Sequence, residues 1–265
     1  MSTATAIHKL IQRGALFVCN HSGGKDSQAM LIKLRTLVPT EQLLVIHAHL
    51  PGVEWEGTYD HVKRYAQDLE YMECVANKTF FETVEHRGRF PSPQYRQCTS
   101  DLKRTPIDRE IRRYLKRNPQ FNGLIVNCLG IRAQESSSRS KAIPFKVSKR
   151  NSIAPGPRVK TGREWYDWFP IFEMKIEEVF ASIERAGQKP HWVYAAGMTR
   201  LSCCFCIMAS KADLTTAANL NPELYGQMVA LEKRIDQTMM MPSKRDGKRS
   251  LEQITGVKAK QKDAA

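Results

Sequence analysis

Two groups of residues in this chain have the types and spacing to do chemistry. The first is Ser22-Gly23-Gly24-Lys25-Asp26-Ser27. Gly23 and Gly24 remove two side chains where a ligand can approach the backbone. Their N–H groups, a helix N-terminus and Lys25 then converge on one anion. A Gly-Gly turn by itself is a tight strand–helix connection, whereas the full hexapeptide between a strand and a helix reads as a phosphate-binding loop. It is not the Walker loop, which needs Gly-x-x-x-x-Gly-Lys-Ser/Thr. The second group is made of cysteines. Cys203 and Cys206 form a C-x-x-C pair with Cys204 between them, and Cys98 lies far upstream. Such a pair serves redox, zinc or iron–sulfur chemistry alike. Zinc wants four tetrahedral ligands, and here Cys98, Cys203 and Cys206 supply three, with Cys204 the candidate fourth.

These residues need elements to position them. Residues 15–19 are an apolar run bounded by Gly14, so they read as a buried strand feeding the loop. Residues 28–34 alternate at helical spacing, so Asp26 and Ser27 open a helix. Residues 43–49 read as a second strand ending in a loop, 50–58, that contains Gly52. A helix over about 59–70 and a third strand at 74–76 follow. Residues 81–97 read as loop, 107–117 as a basic helix and 121–129 as another buried strand. The alternation predicts an α/β fold with a parallel sheet. Ligands in such sheets sit beyond the carboxyl ends of the strands, where the loops at 22–27 and 50–58 are expected to share one nucleotide. The expected organisation is a nucleotide-binding domain over 1–172, with a mobile basic loop at 137–160. A cysteine-bearing helical region over 173–242 and a flexible basic tail over 243–265 complete it. A short leading helix at 5–13 and helices at 175–185 and 222–237 are also expected.

The chain has 265 residues, enough for one sizeable core or a core plus an appendage. Lys and Arg number 41 against 27 acidic residues, a formal charge of +14. The excess favours a polyanion, nucleic acid or nucleotide, although solubility charge accounts for part of it. The expected carriers are 107–117 and 139–160. No apolar run is long enough for a transmembrane helix and no signal pattern opens the chain, so a cytoplasmic protein without membrane contact is expected. Seven cysteines in that compartment argue for metal or redox chemistry over disulfides.

The motifs in order are Ser-Gly-Gly-Lys-Asp-Ser, Cys98-Thr99-x-x-Leu102-Lys103-x-x-Pro106 and Gly130-Ile131-Arg132-Ala133-x-Glu135-Ser136. Pro170-Ile171-Phe172 and Gly197-Met198-x-Arg200-x-Ser202-Cys203-x-Phe205-Cys206 follow. This series resembles the phosphoadenosine phosphosulfate (PAPS) reductase family of the PP-loop ATP pyrophosphatases. It is closest to iron–sulfur, sulfurtransferase-like members such as the sulfur-activating protein of DNA phosphorothioation. The resemblance implies an adenine nucleotide alpha hydrolase-like fold and an enzyme that adenylates a substrate with ATP and releases pyrophosphate. It implies that Ser22, Gly23, Gly24, Lys25, Asp26 and Ser27 hold the pyrophosphate end of ATP. Gly52, Gly130, Arg132 and Glu135 would line the nucleotide pocket, and Lys25, Asp26, Lys103 and Arg132 would act in catalysis. It implies a [4Fe–4S] cluster on Cys98, Cys203 and Cys206 and a protein sulfur donor as partner. Cys98, just ahead of a helix, is expected to favour thiolate. Asp26, Glu54 and Glu56 are candidates for Mg²⁺, although helix-start charge explains the glutamates almost as well.

The chain also departs from the family. Gln97 replaces the first member of the Cys-Cys pair of adenylyl-sulfate reductases, and His49 stands where an acidic residue is common. No cysteine follows Cys206, so the C-terminal nucleophile of the sulfate reductases is missing. Reduction of an adenylylated sulfate would then need an external thiol. A nucleotide-binding iron–sulfur regulator acting with protein or DNA is the third reading. Cys19, Cys74 and Cys128 read as structural, with Cys128 a reserve ligand. His47, His49 and His191 read as hydrogen-bonded side chains or acid–base groups. Trp165, Tyr166 and Trp168 beside Arg163 read as a packed corner or a base-stacking surface.

Overall fold

The computed structural model describes residues 2–156 and 162–260. Its frame is a six-stranded sheet in the order β3-β2-β1-β4-β6-β5. The strands are β1 (Leu16–Asn20), β2 (Leu43–His49), β3 (Glu70–Val75), β4 (Leu124–Cys128), β5 (Phe145–Val147) and β6 (Glu164–Trp168). β1 runs parallel to β2 and β4, β4 runs parallel to β6, and β5 is antiparallel to β6. Phe17 lies opposite Leu43 and Val126, and Cys19 opposite Val45 and Cys128. Central strands of a parallel sheet are covered on both faces, and so β1 and β4 read as continuous apolar runs. The strand order reverses between β1 and β4, which makes that junction the topological switch point.

The chain divides into two interleaved compact units. The first comprises residues 1–47, 59–74 and 107–190. Its core joins Phe17, Met30, Leu34, Val45, Val126 and Trp168. Ala29 of the Lys25–Leu37 helix packs with Val179 and Ile183 of the Ile176–Arg185 helix. The second unit comprises 48–58, 75–106 and 191–265. Its core joins Trp55, Phe80, Val84, Leu102, Phe205, Tyr225 and Leu231, with helices Phe80–Arg87, Lys211–Leu220 and Pro222–Arg234. A sequential division at residue 172 is therefore not how the cores divide: Trp55, Phe80 and Leu102 pack with C-terminal residues.

Several segments differ from their sequence reading. Residues 80–87, expected to be loop, form a helix. A reciprocal capping box between Thr79 and Glu82 starts it, and Gly88, left-handed at φ 62°, ends it. The helix expected over 59–70 stops at Ala66, and β3 starts at Glu70, earlier than expected. The segment expected to be a mobile basic loop holds a short helix, Ser137–Ser140, and the edge strand β5; its residues 157–160 lie outside the described residues. The tail is ordered through Glu232, whose buried carboxylate accepts the N–H groups of Met239 at 2.7 Å and Leu251 at 2.9 Å. The Leu251–Thr255 helix follows with Leu251 in the core, while 261–265 lie outside the described residues.

Candidate functional site

The glycine loop leaves the carboxyl end of β1. Gly23 turns at φ 81°, a conformation that side-chain-bearing residues rarely adopt. Gly24 is the extended N-cap of the Lys25–Leu37 helix and offers no side-chain acceptor to its first N–H groups. That end therefore suits an anion. The two serines, alike in sequence, part company in space. Ser27 is buried; its Oγ donates to the Gly24 carbonyl at 2.8 Å and accepts the Ser22 N–H at 3.2 Å. Ser27 thus shapes the loop, and Ser22 is the exposed hydroxyl.

Lys25 is 3% exposed and Arg132 is 4% exposed. The Lys25 ammonium donates to Asp26 Oδ2 at 3.2 Å, and Arg132 Nε donates to Asp26 Oδ1 at 2.6 Å. Each carboxylate oxygen is taken by a buried cation, and the three groups together carry +1. Asp26 therefore anchors Lys25 and Arg132, and a Mg²⁺ ion there would have to displace one of them. Arg132 Nη1 donates to Gln134 Oε1 at 2.9 Å, and that oxygen also accepts the Ile176 N–H at 2.9 Å. Glu135 accepts the Arg132 backbone N–H at 2.9 Å and pairs with Arg139.

Gly130 follows β4, the neighbour of β1. A Cβ there would lie 3.1 Å from the Asp26 carbonyl carbon and 3.1 Å from the Ser27 nitrogen. A side chain there would crowd the backbone of the phosphate loop, so the glycine lets the two loops approach closely. The structure thus brings Ser22–Ser27, Gly130, Arg132 and Glu135 together at the switch point. Gly52 (φ 77°), Glu54, Glu56 and Lys103 belong to the second unit.

Three features of this site escaped sequence reasoning. His21 is buried; its Nδ1 accepts the Gly23 N–H at 3.1 Å, so the proton sits on Nε2. Burial first, then the nearby His61 and His47, lowers its pKa to about 3. At the strand ends, Asn20 Nδ2 donates to Asn127 Oδ1 at 2.7 Å, and Asn127 Nδ2 donates to Asp167 Oδ1 at 2.9 Å. Gln134 is the third, set by its grip on Arg132. The polar residues ending the β1 and β4 runs were the only available signal.

The cysteines build a separate site in the second unit. Cys98 sits in a helical turn, Gln97–Thr99, that passes into a π-helical segment, Ser100–Arg104, and then the Thr105–Arg117 helix. The Thr105 N–H reaches back five residues to the Ser100 carbonyl, and Pro106 has no N–H to restore the α register. The charges of Cys203 above all, then Cys206 and Cys98, raise the Lys103 pKa against its burial. Burial raises the Cys98 thiol, Cys206 adds to it and Lys103 opposes, so the thiolate expected of Cys98 is not favoured without a metal. Burial likewise takes Cys203 to about 11, again opposed by Lys103.

Cys204 is the most buried of these four cysteines. It is 1% exposed, packs in the apolar core, and its N–H donates to the Val53 carbonyl at 2.8 Å. Burial pushes its thiol to about 12. Cys98, Cys203 and Cys206 are half-buried, and Lys103 lies close enough to all three to interact with their charge. Among the described residues no three cysteines have sulfurs all within 4.8 Å of one another. Three thiols beside one lysine are a donor set that suits a thiophilic metal centre.

The remaining candidates are buried, hydrogen-bonded or packed, and His47, His49 and Glu54 bring their ligand atoms within 4.8 Å of one another. Cys19, Cys74 and Cys128 are buried, and burial raises all three thiols. His47 Nδ1 meets the His21 carbonyl at 2.8 Å, His49 Nδ1 meets Glu54 at 2.7 Å, and His191 is buried with its pKa lowered to about 4. Trp165 and Trp168 are buried and Tyr166 stacks on Phe145, which makes a packed corner.

A mostly parallel α/β sheet with a glycine loop at its switch point is the architecture of this chain. The model of the phosphoadenosine phosphosulfate reductase domain matches residues 17–209, and the chain belongs to that family. It is 30% identical over 198 residues to an uncharacterized 37.8 kDa protein of Escherichia phage 186, covering 72% of this chain and 55% of the relative. It is 26% identical over 216 residues to an uncharacterized protein of Methanocaldococcus jannaschii, covering 80% and 46%. The chain thus spans about half the length of these relatives. Among solved structures, PAPS reductase from Candida auris overlaps with TM-score 0.47 at 13% identity, covering 77% of this chain and 88% of that one. FMN adenylyltransferase from Candida glabrata overlaps with TM-score 0.45 at 11% identity, covering 75% and 64%. Among the described residues no helix is long and apolar enough to cross a membrane.

Proposed function

We propose that this chain binds ATP, adenylates an oxygen of a substrate with release of pyrophosphate, and supports sulfur transfer to that activated position. The observation that carries the reading is the Lys25–Asp26–Arg132 triad under an uncapped helix N-terminus at the switch point. A substrate oxygen attacks the α-phosphorus, and the bond to the leaving pyrophosphate breaks. The loop N–H groups, Lys25 and Arg132 meet the charge on that leaving group, which is catalysis by positioning and electrostatics. Ser22 adds the exposed hydroxyl, and Mg²⁺ enters with the nucleotide. Cys98, Cys203 and Cys206 would hold a [4Fe–4S] cluster, with Lys103 offsetting its charge. When bound, the cluster supplies a thiophilic, redox-active centre with one iron not held by these cysteines. Because burial raises the Cys98 and Cys203 thiols, loading the site releases protons and is favoured by rising pH.

The test is ATP binding by calorimetry with Lys25→Ala and Ser22→Ala, followed by pyrophosphate release with tRNA, DNA and protein sulfur donors. Loss of Lys25 should cost about 1.5–3 kcal/mol of binding. Unchanged binding in both variants overturns the nucleotide reading. An anaerobic preparation holding zinc and no iron or sulfide overturns the cluster. Sulfite release from PAPS with thioredoxin, without pyrophosphate release, would establish the reductase reading instead.

A further inference from the structure

The second unit carries a feature that neither the nucleotide loop nor the thiols use. Beginning two residues after the buried Phe90, Ser92-Pro93-Gln94-Tyr95 form a tight turn. The Ser92 N–H donates to the Tyr95 carbonyl at 3.2 Å, and the Tyr95 N–H donates to Ser92 Oγ at 3.0 Å. The Arg96 Nε donates to the Pro93 carbonyl at 3.1 Å, and the Gln97 N–H donates to the Tyr95 carbonyl at 3.0 Å. Phe90 roots the turn in the core, where its ring lies 6.5 Å from that of Phe80. A turn tied at both ends thus presents Tyr95 outward at 73% exposure, the highest of the large apolar side chains among the described residues.

The surroundings are basic. Residues 87–104 hold Arg87, Arg89, Arg96, Lys103 and Arg104 against a single acidic residue, Asp101. Arg87 pairs with Asp101 at 3.7 Å, while Arg89 and Arg96 are exposed beside the turn. A rigid, exposed ring among guanidinium groups matches the requirements for holding an unstacked base between phosphates. A duplex keeps its bases stacked and offers no face to a single protruding ring. A protein partner needs an apolar interface core, and Ser92, Pro93 and Gln94 add no large apolar side chain. Tyr95 also lies only three residues before Cys98, so their Cα atoms are at most about 11 Å apart.

We infer that the Ser92–Tyr95 turn docks a single-stranded nucleic acid, one base stacking on Tyr95 while Arg89 and Arg96 meet the flanking phosphates. The base would rest on a residue whose Cα is at most about 11 Å from that of Cys98, which names the acceptor class for the proposed sulfur transfer, on which reading that last step rests. The docking itself does not depend on it.

Fluorescein-labelled oligo(dT) and oligo(U), and a duplex of equal length, are titrated with the full chain by anisotropy at several salt concentrations. Tyr95→Ala is expected to weaken single-strand binding by about 5- to 150-fold, and Tyr95→Phe to keep it, because the ring does the stacking. Arg96→Ala should reduce the salt slope by about 0.7, which Tyr95→Ala should leave alone. Equal weakening in Tyr95→Phe and Tyr95→Ala, unchanged binding in Tyr95→Ala, or equal competition by polyglutamate each overturns the docking site. ATP binding is measured on the same samples. If wild type binds the strand through Tyr95 but no ATP, the nucleotide reading fails and the docking site stands; the reverse result does the opposite.

Discussion

Asp26 is the residue that decides the electrostatics of the nucleotide loop. Its two oxygens hold two cations that are themselves almost wholly buried. Removing one partner from a buried charge group leaves the others uncompensated. Asp26→Ala is therefore expected to lower unfolding free energy by on the order of 3 kcal/mol in urea melts, with Asp26→Asn between it and wild type. A variant as stable as wild type would mean that Lys25 and Arg132 are held by other groups. Gly130→Ala acts differently. Its Cβ meets loop backbone at 3.1 Å, which cannot swing aside as a flexible side chain would. The expected result is an overpacking cost of about 1–3 kcal/mol and a displaced loop, with ATP affinity falling at least tenfold. Tight ATP binding by a destabilised variant would show that the close approach serves packing alone.

At the scale of elements, the strand-to-helix turn depends on a neutral imidazole. His21 accepts the Gly23 N–H, and its pKa is about 3 when folded, against about 6.5 in an unfolded chain. A depressed pKa contributes stability above the unfolded value and loses it as pH falls. Between about pH 6.5 and 3 the unfolded chain binds a proton that the folded one refuses, at roughly 1.4 kcal/mol per pH unit. His191, lowered to about 4, adds over its shorter window. Melting temperature should fall steadily below about pH 6.5, and His21→Asn should flatten that fall. The same slope in wild type and His21→Asn would discharge His21 from it. In the cysteine segment, Cys204 is fully buried in the core, whereas Cys98, Cys203 and Cys206 are half-buried. Cys204→Ser should therefore keep most of the iron of an anaerobic preparation, while Cys98→Ser should lose it along with the visible absorption. Equal loss in the two variants would make Cys204 a ligand.

At the scale of the whole molecule, two cores share one chain that passes between them repeatedly. Leu231, Tyr225 and Phe205 pack with Trp55, Phe80 and Leu102, which come from far upstream. Residues 191–265 expressed alone should thus lack cooperative melting and dispersed amide resonances. A cooperatively folded fragment would show that the upstream residues are dispensable to that core.

Local pattern made part of this protein legible before any coordinates. The apolar runs at β1, β2 and β4, the glycine loop and the helix after it are set by neighbours in sequence, so the switch-point site could be named from them. The helix at Phe80–Arg87 was equally local: Thr79, Glu82 and Gly88 signal its ends, and the prolines and arginines downstream obscured them. The rest depended on partners distant in sequence. The sequence shows Lys25 as a loop cation, but only the fold brings Arg132, 106 positions from Asp26, onto the same carboxylate that Lys25 meets. Two serines of one motif differ only because Ser27 closes onto Gly24. Spacing leaves Cys204 an uncertain fourth ligand, and its burial in the core of the second unit is set by apolar partners distant in sequence. The boundary at 172 gave way to interleaved cores because burial follows which apolar faces meet, and no window of sequence records that.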